Sequence, residues 1–180
     1  MTAPENKADL LGRYFDTGTH YYVAGRFAYF ARAIPTAGNL LHHAIEMYLK
    51  GCLVGTYDEA PRRRLGHRLR RIWRRFKRQD GDNKLSQFDA TIAELDRFED
   101  LRYPEKVRGL LIHFELTRQP AEASGSGSRN ARRFDLFLNE IDQLVAVLFQ
   151  QANLNPKSFT TGLSAAARAS LTNDNPTGIW

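Results

Sequence analysis

A run of basic residues interrupted by apolar ones, RRRLGHRLRRIWRRFKR from Arg62 to Arg78, constrains this chain more than any other segment. Ten of its seventeen residues are Lys or Arg and none is acidic. When residues are placed at about 100° intervals, five apolar side chains fall within an arc of about 100° and most of the cations lie outside it. The sequence thus predicts an amphipathic helix whose cationic face is in solvent and whose buried face holds Leu65, Leu69, Ile72, Trp73 and Phe76.

This helix carries the basic excess of the whole chain. The formal net charge is +6, so the residues outside the segment have a net charge of about −4. Like charges three and four residues apart destabilise the helix that carries them, so their density here indicates a polyanionic partner. A membrane surface is an alternative, because basic amphipathic helices also bind anionic lipids. We expect the polyanion to contact His67, Arg68, Arg71, Arg74, Arg75 and Arg78.

Composition limits the remaining function classes. The 180 residues, 42% of them hydrophobic, predict one domain over residues 1–155, followed by a flexible or partner-ordered tail over 156–180. The single cysteine, Cys52, excludes an intramolecular disulfide and a paired-cysteine zinc site. Neither a membrane-spanning apolar run nor a signal-peptide pattern is evident, so we expect a cytoplasmic location. Nucleotide-binding, zincin and serine-hydrolase motifs are also absent, and we predict no cofactor.

Hydrophobic periodicity predicts an all-α fold, a bundle of about five helices with one short β element before the last helix. A stripe of Val23, Phe27, Phe30 and Ile34 marks one helix, which Pro35 should end. Thr36 then caps a second helix that runs to about residue 54.

The second half of the chain contains the predicted β element. An acidic helix should stop near Tyr103, because Pro104 disfavours helical geometry in its predecessor. Alternation of apolar and polar residues at 112–117 predicts a strand. The Gly- and Ser-rich stretch 119–130 predicts a mobile loop, and a last helix is expected over 131–152.

The second helix carries a polar arc formed by His42, His43, Glu46 and Lys50. Glu46 and Lys50 have the spacing of a stabilising helical ion pair, so a solvated or interface face is expected. The His42–Glu46 spacing is compatible with a metal, but no third ligand is evident and we predict no metal site.

Two charged residues of the acidic helix, Glu99 and Arg102, fall on its apolar arc. Charged groups at such positions require a partner or a cleft, and these two are close enough in sequence to pair. We therefore expect an interface or cleft that contains Glu46, Lys50, Glu99, Arg102 and Tyr103.

Three short motifs occur in an order that resembles the HEPN domain proteins, small all-helical bundles of prokaryotic toxin, defence and RNA-processing systems. The motifs are NLLHHAIEMYLK at 39–50, a Pro61…Gly66-His67-x-Leu69 helix start, and LRYP at 101–104. The resemblance spans roughly Tyr21 to Pro104 and the final helix. It implies a homodimer that binds RNA or another polyanion, in a defence or toxin–antitoxin system with a cognate antitoxin or another partner protein.

Active HEPN proteins cleave RNA without a metal through an Arg-x4–6-His motif. Arg102 resembles that arginine in position, but Val, Arg and Gly occupy positions 107–109, where the histidine would follow. Arg108 and His113 have the Arg-x4–6-His spacing instead, but His113 lies in the predicted strand. The catalytic candidates are Arg102, because of its position, and His113, because of this spacing. A metal-independent endoribonuclease is therefore the alternative to a non-catalytic binding protein.

Overall fold

The computed structural model of the chain describes residues 6–57, 64–81, 83–103, 105, 110–118 and 132–180. These residues are mostly helical. The described residues form six α-helices, namely α1 (Lys7–Phe30), α2 (Ile34–Cys52), α3 (Leu69–Asp80), α4 (Asp89–Phe98), α5 (Leu138–Gln151) and α6 (Ala165–Thr172). Short 3₁₀ helices cover Asn83–Phe88, Glu99–Arg102 and Pro156–Phe159, and two strands are β1 (Leu110–Glu115) and β2 (Arg132–Phe137). Within the described ranges, no helix is both long and apolar enough to cross a membrane.

Helices α1 and α2 form a closely packed hairpin at the centre of the molecule. A Cβ atom added at Gly25 of α1 would lie 2.7 Å from the Leu41 side chain of α2. At Gly38 of α2 an added Cβ would lie 2.1 Å from the ring of Phe98 in α4. Because real Cβ contacts are longer, glycine at these two positions lets α1 and α4 approach α2, and this fixes the surroundings of its polar arc.

The buried face of α1 differs from the predicted stripe. Phe15, Tyr22 and Tyr29 are buried, whereas Phe27 and Phe30 are 56% and 37% exposed. The difference arises because the buried face includes a charged residue, Arg26, which hydrophobic periodicity does not count.

The start of α2 also differs from the sequence expectation. The helix begins at Ile34, before Pro35, and no side chain caps it. Pro35 therefore occupies the first turn of α2 and does not end α1, which fits the preference of proline for first turns. Thr36 lies inside the helix.

The predicted strand over 112–117 corresponds to β1, but a second strand was not expected. β1 pairs in parallel with β2, with Ile112 opposite Phe134 and Phe114 opposite Leu136. From sequence, residues 132–137 belong to the last helix, because Phe134 fits a helical stripe with α5. Phe134 and Leu136 are buried on alternate positions of a strand instead, and α5 begins only at Leu138.

Residues 156–180 pack on the bundle, which differs from the expected flexible or partner-ordered tail. Leu171 of α6 is buried, and Trp180 stacks on Tyr22 with 5.6 Å between ring centroids. The Nε atom of Arg26 donates to the Ser170 carbonyl at 2.7 Å. This segment is held by single apolar residues and by backbone carbonyls. Its sequence therefore lacks the hydrophobic periodicity that indicates a packed helix.

Candidate functional site

The basic segment folds as predicted where the structure describes it. Leu69 and Ile72 are fully buried, and Leu65, Trp73 and Phe76 are at most 6% exposed, which confirms the predicted buried face. The helix ends where Gly81 adopts a left-handed conformation with φ of 70°. Glycine adopts this conformation without strain, so it terminates the helix after its basic residues.

Acidic residues of α4 hold α3 in place. Asp96 accepts a hydrogen bond from the backbone N–H of Arg70, in the first turn of α3, at 3.3 Å. Asp89 accepts from Trp73 Nε1 and from Lys77 Nζ, both at 2.6 Å. The two carboxylates bind a backbone N–H, an indole N–H and a lysine, and neither binds the side chain of any arginine that the structure describes. They therefore stabilise α3 without neutralising its arginines.

The arginines form a cationic surface that we call the basic face. Among the described residues, none of its members lies within ion-pair distance of a carboxylate, and all are exposed. The basic face consists of Arg68, Arg70, Arg71, Arg74, Arg75 and Arg78. Sequence reasoning did not include Arg70, although its position outside the apolar arc could have shown it.

A groove of about 670 Å³ runs along the basic face between α3 and α4. Its walls contain Asp89 and Asp96, and Trp73 and Ile92 also line it. Its cations are Arg68, Arg70, Arg71, Arg74 and Lys77.

Three of the predicted polyanion-binding residues, Arg68, Arg71 and Arg74, therefore meet in this groove. The Arg75 guanidinium instead lies 5.9 Å from the centroid of the Tyr57 ring, in a neighbouring depression of about 270 Å³ that Arg71 also lines. Arg78 is exposed at the C-terminal end of α3. The cations thus form a continuous strip rather than a single pocket.

His67, the sixth predicted polyanion contact, is engaged inside the chain. Its Nδ1 donates to Glu46 of α2, 3.0 and 3.1 Å from the two carboxylate oxygens, while the side chain stays 65% exposed. Gly66, with φ of 64°, makes the turn that brings this histidine back to α2. His67 therefore connects the start of α3 to the polar arc of α2.

Glu46 is fully buried and strongly hydrogen-bonded. Lys50 Nζ donates to its Oε1 at 2.7 Å, and His43 Nδ1 lies 3.6 Å from its Oε2. Burial raises the pKa of this carboxyl, but the neighbouring side chains of His43, Lys50 and His67 outweigh burial and lower the pKa to about 2. Glu46 is therefore an anion inside the fold.

His42 is also fully buried, so the expected solvated or interface face is wrong for this part of α2. Helix α4 and the 3₁₀ helix after it cover the arc, and His42 Nδ1 donates to the Leu95 carbonyl at 2.9 Å. His42 Nε2 lies 3.8 Å from Glu46 Oε2 and 3.7 Å from Glu99 Oε2. Burial lowers the pKa of His42.

We call His42, His43, Glu46 and Glu99 the histidine–glutamate cluster. The structure brings Glu99 to the polar arc of α2, although the two segments are far apart in sequence. Of the predicted cleft residues, Glu46, Lys50 and Glu99 meet here, and Tyr103 is 44% exposed just beyond the same 3₁₀ helix. Arg102 ends that 3₁₀ helix, and its side chain lies outside what the structure describes.

The candidate catalytic histidine, His113, lies on β1 with its side chain 40% exposed. Its Nδ1 is 3.2 Å from Asp135 Oδ1 on the paired strand, and its Nε2 is 3.6 Å from Glu115. Arg108 lies outside the described residues. The pairing of either arginine with His113 therefore stays a prediction.

Comparisons of the chain with protein-family models, with curated proteins and with solved structures found no match. The features that bear on function are therefore those of this chain itself, the basic face of α3 and the histidine–glutamate cluster beside its first turn.

Proposed function

We propose that the protein binds RNA along the basic face of α3, as a HEPN-like homodimer of a defence or toxin–antitoxin system with a cognate antitoxin or another partner protein. One observation carries the proposal. Six exposed arginines lie on three turns of one helix, and none of them is paired with a carboxylate among the described residues. Arginine binds phosphate in a bidentate manner and stacks on bases, so this face suits a strand of alternating phosphates and bases.

The packing of α3 favours a nucleic acid over a lipid surface. A basic amphipathic helix binds a membrane by placing its apolar face in the headgroup region. In this fold Leu69, Ile72 and Phe76 are buried in the core, so the apolar face of α3 is already occupied. Only the cationic face remains for a ligand, which suits the phosphate backbone of RNA.

Binding without cleavage is favoured over the endoribonuclease alternative. A cleaving site would use Arg102 to stabilise phosphate and His113 as the general base. His113 has carboxylates of Glu115 and Asp135 within 3.6 Å, and these repel the anionic phosphodiester. Incubation of labelled RNA with the protein in EDTA, with Arg102→Ala and His113→Ala variants beside it, distinguishes the two functions.

RNA binding is tested by the fluorescence anisotropy of a labelled 20-nucleotide single-stranded RNA in ~50 mM salt. The four-arginine variant replaces by Gln the residues Arg68, Arg71, Arg74 and Arg75. A matched control variant makes the same change of charge at exposed cations outside α3, namely Lys7, Arg32, Lys157 and Arg168.

We expect the four-arginine variant to lose about 10²–10³-fold in affinity and the control variant to lose less than about tenfold, because phosphate contacts dominate binding. A wild-type protein that does not bind RNA contradicts the proposal. Equal losses in the two variants would also contradict it, because they would show an effect of net charge alone. Vesicles with and without anionic lipid, used as competitors, test the membrane alternative.

A further inference from the structure

Three residues of the histidine–glutamate cluster lie close enough together to hold a metal ion. His42 and His43 come from consecutive positions of α2, and Glu99 comes from the 3₁₀ helix that follows α4. One ligand atom from each of these three residues lies within 4.8 Å of the other two. Glu46 also lies beside this group, with its Oε2 at 3.6 Å from His43 Nδ1 and 3.8 Å from His42 Nε2.

The tautomer of His42 is fixed by its backbone contact. A carbonyl oxygen only accepts hydrogen bonds, so the 2.9 Å contact with Leu95 places a proton on Nδ1. In the neutral ring, Nε2 then carries a lone pair. Metal-binding histidines are held in this manner, with the second ring nitrogen donating to a carbonyl or carboxylate.

The Nε2 atom of His42 is buried and makes no hydrogen bond within the described part of the chain. The nearest carboxylate oxygens, of Glu46 and Glu99, lie 3.8 and 3.7 Å away, beyond the range of an N–H···O hydrogen bond. A lone pair facing two carboxylates in a buried space is repelled by both. A cation between them converts that repulsion into attraction.

The donor types select the metal. Two imidazole nitrogens and a carboxylate oxygen suit Zn²⁺ and related transition-metal ions, whereas Mg²⁺ and Ca²⁺ prefer oxygen ligands throughout. A tetrahedral site with bonds of about 2.0–2.1 Å separates its donor atoms by about 3.3–3.4 Å. The 3.7 Å between His42 Nε2 and Glu99 Oε2 is close to this separation, and one ligand atom from each of the three residues lies within 4.8 Å of the others.

We propose that His42, His43 and Glu99 bind a divalent transition-metal ion, with Zn²⁺ as the expected occupant and the Glu46 carboxylate beside it. The ion would connect α2 to the 3₁₀ helix after α4, next to the turn at His67 that begins α3. This site is independent of RNA binding, because none of its three ligands belongs to the basic face.

The test uses the full-length protein, freed of metal with EDTA and returned to buffer. Isothermal titration with Zn²⁺ measures affinity and stoichiometry, and Co²⁺ titration gives the visible absorption of a tetrahedral site. The ligand variants are His43→Gln, at a partly exposed position, and Glu99→Gln, which keeps the shape of the side chain. The control is His113→Gln, which removes another histidine that lies beside two carboxylates.

We expect one Zn²⁺ per chain and a rise in the Tm of the wild-type protein of roughly 5 °C or more at a hundredfold excess over the Kd. Each ligand variant should weaken binding by at least about 10-fold, and His113→Gln should leave it unchanged. Circular dichroism checks that the variants are folded. Weak, non-stoichiometric binding by the wild type overturns the proposal, and so does binding that both ligand variants retain.

Discussion

Lys77 of α3 and Asp89 of α4 form an ion pair, with Lys77 Nζ 2.6 and 2.8 Å from the two carboxylate oxygens. The same carboxylate accepts the Trp73 indole proton at 2.6 Å. Hydrogen bonds from Lys77 and Trp73 outweigh the effect of burial and lower the pKa of Asp89. One cation of the groove is thus paired with a carboxylate, whereas the groove arginines have no carboxylate within ion-pair distance in the described part of the chain.

This difference predicts unequal effects of two similar substitutions. Arg71→Gln should lower RNA affinity by about 5- to 10-fold in low salt, because it removes one phosphate contact. Lys77→Gln should lower affinity less than about twofold. It should instead reduce the free energy of unfolding by about 0–1 kcal/mol, as expected for an ion pair that is partly exposed. Anisotropy titrations and urea unfolding of both variants measure the contrast, and equal losses of affinity would show that Lys77 is also a phosphate contact.

The buried ion pair of Arg26 and Asp142 predicts a large effect on stability. Tyr22 O–H also donates to this carboxylate at 2.5 Å, and both charged side chains are fully buried. Asp142→Ala should lower the free energy of unfolding by about 3–5 kcal/mol, because it leaves an uncompensated buried charge. Urea denaturation measures the loss. Asp135→Ala, which breaks an exposed contact with Arg133, is the control and should cost at most about 1 kcal/mol. Similar costs for the two variants would contradict the buried placement of Arg26.

The buried phenol of Tyr48 should make the protein less stable at alkaline pH. Burial raises the pKa of this phenol far above its usual value of 10.0. In the unfolded chain the phenol ionises near pH 10, so above that pH the unfolded state holds fewer protons than the folded state. The contribution is therefore complete below pH ~10 and is lost as the pH rises, by up to ~1.4 kcal/mol per pH unit.

The check on Tyr48 is urea unfolding at several pH values between ~8 and ~11. Tyr48→Phe should make the alkaline decline shallower, at the cost of the 3.1 Å hydrogen bond to Thr19. Tyr21→Phe, at a position that is 37% exposed, should leave the decline unchanged. An identical decline in wild type and Tyr48→Phe would mean that this phenol is accessible to solvent.

The proposed homodimer is tested by light scattering. Phe27 and Phe30 on α1 are 56% and 37% exposed, and such large apolar side chains are often covered by a partner. We expect a mass of twice 20.5 kDa, and we expect Phe27→Glu to favour the monomer. A wild-type monomer at ~100 µM would remove the homodimer from the proposal and leave RNA binding to be tested separately.

Local patterns explain which parts of the fold were predictable. The buried face of α3 follows from the spacing of five apolar residues in one segment, and β1 follows from strict alternation around Phe114. Strand β2 was missed because Phe134 fits both a helical and a strand period, and only pairing with β1 decides between them. Arg26 was missed for a related reason, since its partners lie far along the chain in α5 and α6.

The two candidate sites also differ in whether local sequence or contacts between distant segments determine them. The basic face depends on a single helix, so sequence alone identified most of it. The histidine–glutamate cluster depends on packing between α2 and the segment after α4. The spacing of His42 and Glu46 is compatible with a metal, but no third ligand is evident from sequence, because nothing local indicates that Glu99 reaches them.

The salt dependence of RNA binding tests the proposed function most directly. Anisotropy titrations between ~50 and ~200 mM salt give the slope of log affinity against log salt concentration. Each phosphate contact on single-stranded RNA contributes about −0.7 to this slope, so the slope of the four-arginine variant should be shallower than that of wild type by roughly 3. A wild-type protein that ignores RNA at ~50 mM salt would contradict the account, as would equal slopes for the two proteins.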